Sequence, residues 1–386
     1  MTHSTTLAAN HRLPAVSYKP GYGRVHSLDG LRAVSVLLVV LAHFGLDHVV
    51  PGGLGVTTFF FISGFIITRL LLAEIDQRGM IDLGAFYRRR FWRLWPAVVA
   101  SIVGMLMMGA LFGEVWAPLG DIVSALTFLQ NYWGAVYPAQ SPLGIHWSLA
   151  VEFHFYLLWP LVLLFLLVRP KLAVPVSAAA LLAFLLFRVW LVMALDRSGV
   201  SWDVVELWTY QLSHLRADSL LFGCLLALLA FDKNWQRILT RIANQRSIWI
   251  GVAILLVTLI VRDDFFRVTI RYSIQGVALL LIFAGVLFAK RGGIARRLLN
   301  LPLMVWLGTI SFSIYLWHKI MWRLVDQVAG FGDSISVGLM AGALTLVIAW
   351  LSYRYVELVF IRVGRKQWRA GPSKPAAGVS YGHKTL

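Results

Sequence analysis

SLDGLRAVSVLLVVLAHF, residues 27–44, opens an apolar run long enough for a membrane helix, yet it carries Asp29, Arg32 and His43. Arg32 and His43 are eleven residues apart. That is about three helical turns, so both sit on one face with about 16 Å between them. Ionisable side chains inside a membrane span are costly and mark functional paths. This face is therefore expected to line a path through the bilayer.

The surrounding chain sets the context. Of 386 residues, 59% are hydrophobic and only 14% charged, more apolar surface than a soluble fold of this length can cover. Apolar runs of about twenty residues recur along it. The expected fold is all-α, a multi-pass membrane protein of about ten transmembrane helices. A net charge of +17 would suit nucleic acid, but most Lys and Arg fall in short loops, where the positive-inside rule accounts for them. No nucleic-acid partner is expected. The single cysteine, Cys224, excludes an internal disulfide framework or a cysteine metal site and reads as a packing residue. Residues 1–26 lack the layout of a cleaved signal, so the first span is retained.

The expected spans are 29–49, 54–73, 94–113, 146–168, 174–195, 209–231, 247–262, 271–289, 303–323 and 335–360. Arg12, Lys19 and Arg24 precede the first. Arg78, Arg88, Arg89, Arg90 and Arg93 lie in the second connection, Arg169 and Lys171 in the fourth, and Lys233, Arg237, Arg241 and Arg246 in the sixth. Lys290, Arg291, Arg296 and Arg297 lie in the eighth, and Arg362, Arg365, Lys366 and Arg369 follow the last span. Connections 50–53 and 114–145 contain no Lys or Arg, and the fifth sets Arg197 among Asp196, Asp203 and Glu206. Only the seventh, with Arg262 and Arg267, is discordant. The alternation predicts a cytoplasmic tail 1–26, a membrane domain 27–361 and a cytoplasmic tail 362–386. An apolar piece at 119–133 is too short and interrupted for a span.

With that topology, His43, His146, Ser148, Glu152, His214, Arg216, Asp218, Tyr315 and His318 all fall toward the outer side. Pairing among them around a hydrated cavity is the economical arrangement. On the cytoplasmic side stands FYRRRFWRLWP, residues 86–96. Its Arg90 and Arg93 share a helical face and carry the planar forks that suit phosphate oxygens.

Several stretches together resemble the acyltransferase 3 family of integral-membrane O-acyltransferases. They are LDGLRAVSVLLVVLAHF (28–44), FFFISGFIIT (59–68), FYRRRFWRLWP (86–96), HWSLAVEFHFYLLWP (146–160), RADSLLFG (216–223) and SFSIYLWH (311–318). The resemblance implies transfer of an acyl group, most often acetyl from acetyl-CoA, onto a carbohydrate hydroxyl. It makes His43 the main catalytic residue, with Glu152 and Ser148 supporting the site or the acceptor. Arg32, Arg90 and Arg93, with Asp29 beside Arg32, would place the acyl-CoA. Trp147, Arg216, Asp218 and His318 would contact the acceptor. Where many members read Glu-Glu-Gln, this chain has Glu152, Phe153 and His154, a departure that touches acceptor contacts. Many relatives carry a further extracellular hydrolase-like domain, so a stand-alone enzyme is the expectation here.

The chemistry agrees with that assignment. Acyl transfer to an alcohol needs a base for the hydroxyl and charge stabilisation for the tetrahedral oxyanion, and a histidine has a suitable intrinsic pKa. Ser63 reads as close packing or hydrogen-bond support. No metal is expected, because no histidine pair has ligand spacing within one span. The expected location is the cell inner membrane, with the lipid bilayer, a carbohydrate acceptor and polysaccharide-biosynthesis proteins as partners. O-antigen or exopolysaccharide is the expected type of acceptor. A transporter or flippase of a glycan or its lipid-linked precursor stays as the alternative, although no internal symmetry of the transporter kind is visible.

Overall fold

The computed structural model describes residues 25–138, 141–290, 293–330 and 335–369. The expected tail segments 1–24 and 370–386, with Arg12, Lys19 and Arg24, lie outside the described residues, as does Arg291. Among the described residues all regular structure is helical. Helix α1 (His26–Leu41) runs into a π-turn at Ala42–Leu46, and α2 (Gly52–Arg78) and α3 (Leu83–Leu111) follow. The Asp82 carboxylate caps α3 by accepting from the Ala85 amide at 2.8 Å, the usual way to satisfy a helix start. The short α4 (Leu119–Leu126) and α5 (Gln130–Val136) occupy the 119–133 stretch and, as expected, do not span.

Helices α6 (Trp147–Leu167), α7 (Pro170–Arg197), α8 (Trp202–Gln211), α9 (Ser213–Phe231), α10 (Gln236–Ile242) and α11 (Gln245–Ile260) come next. Then come α12 (Asp264–Val268), α13 (Ile270–Phe288), α14 (Gly293–Leu299), α15 (Pro302–Thr309), α16 (Ser311–Ala329) and α17 (Ile335–Ser352). A second π-turn at Tyr353–Glu357 leads into α18 (Leu358–Arg369). The last helix therefore continues past residue 361, where the C-terminal tail was expected to begin.

Eight of these helices are long and apolar enough to cross a membrane, or nine if the pair α10–α11, bent by 75°, is one span. All ten expected spans have a helical counterpart, but several are not simple rods, and the expected span 209–231 crosses the break at Leu212 between α8 and α9. The expected span 247–262 is the 16-residue α11, which α10 meets at the bend. The expected span 303–323 breaks at Ile310 into α15 and α16. Helix α16 carries His318, Lys319, Arg323 and Asp326, too many polar groups for a lipid-facing rod, and it is packed against protein instead.

Helix α16 lies alongside α1 in the same direction. Successive contacts are Arg32 Nε to Ser311 Oγ at 3.2 Å and His43 to His318 at 2.8 Å. Below them, Ser27 Oγ donates to Asn300 at 2.8 Å. Helix α9 likewise runs parallel to α2, from Arg216 on the Thr57 hydroxyl to Cys224 against the Gly64 carbonyl. A Cβ on Gly64 would stand 1.9 Å from the Leu220 carbonyl oxygen, and one on Gly223 would stand 2.0 Å from that of Phe61. Only glycine permits that approach, and close backbone packing is what holds membrane helices together where lipid is as apolar as leucine. Outside the bundle, α7 presents an exposed stripe of Leu182, Leu186 and Trp190 at helical spacing, a face for lipid tails.

Candidate active site

Helices α1, α2, α3, α6 and α16 enclose a cavity with about 790 Å³ of unoccupied space including its mouth. Arg32, Ser63, Arg90, Arg93, Ser148, Glu152, Tyr156, Ser311 and Tyr315 give it its polar lining. Arg90 and Arg93 stand three residues apart on α3, which turns both toward the cavity. The Arg90 guanidinium lies 5.6 Å from the ring centres of both Phe86 and Tyr156. Its Nε is buried and has no hydrogen-bond partner among the described residues. Arg32 donates to Ser311 and lies within electrostatic reach of Arg93, Glu357, Asp29 and Glu152. An unspent buried donor beside two further guanidinium groups is an arrangement that a phosphate-bearing ligand completes.

At the cavity wall, the Glu152 carboxylate accepts from the Ser63 hydroxyl and from the Tyr156 hydroxyl. Glu152 is thus held by α2 and by its own helix, and its bonds do not run to Arg216. Ser148 donates to the Tyr315 hydroxyl at 2.6 Å, and Tyr315 donates to the Ile145 carbonyl at 2.8 Å.

Behind Tyr315 lies a pair of histidines. His318 is fully buried, and its Nδ1 lies 2.6 Å from the Tyr315 carbonyl oxygen. A carbonyl only accepts, so this nitrogen carries a hydrogen, and Nε2 is then the acceptor of the neutral ring. His43 Nδ1 donates to it at 2.8 Å, with the two rings stacked 5.0 Å apart. The second nitrogen of His43, Nε2, is left as the lone-pair atom at the end of the chain of bonds. The half-buried His43 sits inside the π-turn that ends α1, where Gly45 adopts φ 87°. Such turns concentrate at functional sites. Phe44 stacks on Trp322 at 5.4 Å and pins the turn to α16.

The remaining expected site residues divide. Trp147 is buried between Phe60 and Tyr210, 4.6 Å from the latter. Arg216 is fully buried in a cage of Tyr272, Tyr210 and Phe60, with its nearest ring centre at 4.0 Å. Asp218 does not reach the cavity. It is fully buried and paired with Arg188 at 2.8 Å. His318 is wholly buried and faces His43 and the Tyr315 carbonyl. The outer polar residues do not form one mutually paired cluster either. His146 hydrogen-bonds the Leu143 carbonyl at 3.1 Å, and His214 is exposed beside Tyr132.

Sequence reading missed Tyr156 and the buried Glu357, which accepts from Ser313 at 3.2 Å within reach of Arg93 and Arg32. An acid near the end of the last span was the available signal for Glu357.

A family model described as "Acyltransferase domain" matches residues 25–354, which include every cavity residue and both histidines. The peptidoglycan O-acetyltransferase OatA of Listeria monocytogenes is 30% identical over 354 residues, covering 86% of this chain and 55% of that protein. The O-acetyltransferase OatA of Staphylococcus aureus is 29% identical over 377 residues, covering 92% of this chain and 60% of its own. The chain thus spans less than two thirds of the length of these relatives. No solved structure matches it. With the family match running across nearly all the described membrane helices, the chain belongs to the acyltransferase 3 family of membrane acyltransferases.

Proposed function

We propose that this chain transfers an acyl group, acetyl by preference, from acyl-coenzyme A to a hydroxyl of a cell-envelope carbohydrate polymer. The observation that carries the reading is the joining of two unlike sites along α16. A guanidinium-lined cavity meets its start at Ser311, and a hydrogen-bonded histidine pair meets it about two turns further on at His318. Arg90, Arg93 and Arg32 would hold the phosphates of the donor, because their planar forks match phosphate oxygens and Arg90 has a donor to spare. The acceptor hydroxyl would give its proton to His43 Nε2. His318 keeps that nitrogen free by accepting from His43 Nδ1 and donating to the Tyr315 carbonyl.

A positioned base of this kind contributes a rate factor of about 10²–10⁴. The peptidoglycan polymer named for the Listeria relative favours a wall glycan as acceptor, and O-antigen or exopolysaccharide offers the same chemistry. The site would then work in the inner membrane, with the donor reached from the cytoplasm and glycan-biosynthesis proteins delivering the acceptor.

The test uses purified chain, acetyl-CoA labelled in the acetyl group, and a panel of peptidoglycan fragments, O-antigen and exopolysaccharide. Label is expected on a carbohydrate with wild type and not with His43→Ala. Movement of glycan across vesicles without label transfer would overturn the reading.

A further inference from the structure

We propose that the pocket between the start of α2, one face of α8 and the start of α13 binds neutral sugar units of the acceptor. The chain would then hold an oligomeric glycan by a stretch remote from the hydroxyl that reacts. This deepens the acyl-transfer reading above and rests on it for the use to which the bound glycan is put. Three features carry it: the bonding groups that the pocket leaves open, their balance of charge, and its place beside His43.

The pocket holds about 1000 Å³ of unoccupied space including its mouth, the size of a ligand site. Asp203, Glu206 and Tyr210 follow one another at steps of three and four residues on α8, which turns all three to one side. Arg271, Tyr272 and Gln275 line the same space from α13. The Tyr210 and Tyr272 hydroxyls, the Asp203 carboxylate and the Arg271 guanidinium form no hydrogen bond or ion pair among the described residues. Tyr272 is only 3% exposed, and a hydroxyl so placed calls for a partner. The rings themselves are fixed in advance. Fully buried Arg216 stands 4.0 Å from the Tyr272 ring centre and 5.6 Å from that of Tyr210, and a wall held in this way needs no ordering when a ligand arrives.

The charges of the lining balance. Glu206 is paired with Arg267 at 2.8 Å, and Asp203 shares the pocket with Arg271. A phosphate finds no surplus of cations here, in contrast to the cavity of Arg32, Arg90 and Arg93. Carboxylates that accept are interleaved with tyrosine hydroxyls and a guanidinium that donate, all beside aromatic rings. That set fits a ligand whose polar groups both donate and accept and whose carbon skeleton is apolar, which describes a sugar.

The pocket opens at the end of the bundle where His43 lies. Gly52, at the start of α2, faces the neighbour of His43: a Cβ on it would stand 2.7 Å from that of Ala42. The next residue, Gly53, faces the pocket wall, and a Cβ there would stand 3.4 Å from the Tyr210 ring. These contacts put the Tyr210 ring at most about 18 Å from the His43 Cα. Asp47, His48 and Val49, in the turn between, are exposed. A glycan of several linked units lying over this turn meets both places.

Purified full chain is titrated with the β-1,4-linked hexasaccharide of N-acetylglucosamine, a neutral glycan of defined length. Acetyl transfer to it and to the corresponding disaccharide is measured in the same preparation. The hexasaccharide Kd is expected to rise about 10-fold in Asp203→Asn combined with Arg271→Gln, the cost of a lost hydrogen bond to a charged group. Its kcat/KM as acceptor is expected to fall by the same factor through KM, with kcat and the melting temperature unchanged. The disaccharide, too short to fill both places, is expected to show one lower kcat/KM in wild type and double variant alike. Tyr272→Phe keeps the ring on Arg216 and removes only the hydroxyl, so a smaller rise in Kd is expected. No binding of the hexasaccharide, or an equal Kd in wild type and double variant, overturns the proposal. So does equal kcat/KM of wild type for the two glycans. Binding that the double variant weakens, with no acetyl transfer to either glycan, leaves the sugar site standing and sinks the proposed function. Acetyl transfer with an unchanged Kd does the reverse.

Discussion

Two arginine sites in the membrane helices, Arg188 fully buried and Arg90 half-buried, look alike in sequence and differ in structure. Arg188 is finished. Its Nε donates to the Thr269 carbonyl at 2.9 Å and Nη1 to the Leu215 carbonyl at 2.8 Å. Nη2 reaches Asp218 at 2.8 Å and Ser273 at 3.0 Å, with no solvent exposure. Arg90 is unfinished. It rests against two aromatic rings, beside Arg93 and Arg32, with a buried Nε unbonded and a cavity in front of it. Charge within a span is therefore not by itself a mark of function. Bonding capacity left open toward a cavity is the better mark.

The contrast can be broken most sharply at Arg188. Arg188→Leu strands Asp218 as a buried, unpaired carboxylate, a loss of about 3–5 kcal/mol. The expected result is a protein that unfolds far below wild type in a detergent melt. The double change Arg188→Met with Asp218→Leu should recover much of that loss. A single variant that melts like wild type would show that Arg188 is not holding the bundle together.

Arg90→Ala should behave oppositely. Removing one charged hydrogen-bond donor to a ligand costs about 1.5–3 kcal/mol of binding. The KM for acyl-CoA should therefore rise about 10- to 100-fold by steady-state kinetics, while the melting temperature stays near wild type. Equal loss of stability in both arginine variants would erase the distinction.

The smallest effect is expected at the wall between the two sites. Tyr315→Phe removes the bonds to Ser148 and the Ile145 carbonyl, worth about 1 kcal/mol. A modest drop in melting temperature is expected, with the His318 bond to the residue 315 carbonyl intact. No drop would mean that the latch does not contribute to stability.

Much of this was legible in the chain itself. Hydropathy located the helices, and the spacing of Arg32 and His43 placed both on the face that meets α16, at Ser311 and His318. The three-residue step between Arg90 and Arg93 put both into the cavity. What stayed hidden depends on pairing across the bundle. Ser63 and Glu152 are 89 residues apart, and Arg188 and Asp218 are 30 apart. No periodicity within one helix reveals such partners. Asp218 and His318, both expected at the acceptor, are buried against Arg188 and His43 from other helices, a placement that no single-helix pattern announces. The break at Ile310 was equally invisible, because hydropathy averages across it, whereas α16 satisfies its polar residues by packing inside the protein.

The central claim is that donor binding and base catalysis occupy neighbouring stretches of α16, at Ser311 and about two turns further on at His318. It is tested most directly on His43→Ala, by measuring coenzyme A binding and acetyl transfer to glycan in one preparation. The expected result is an unchanged Kd for coenzyme A with kcat lowered by about 10²–10⁴. Transfer at the wild-type rate would contradict the account, and so would a loss of coenzyme A binding that matches the loss of activity.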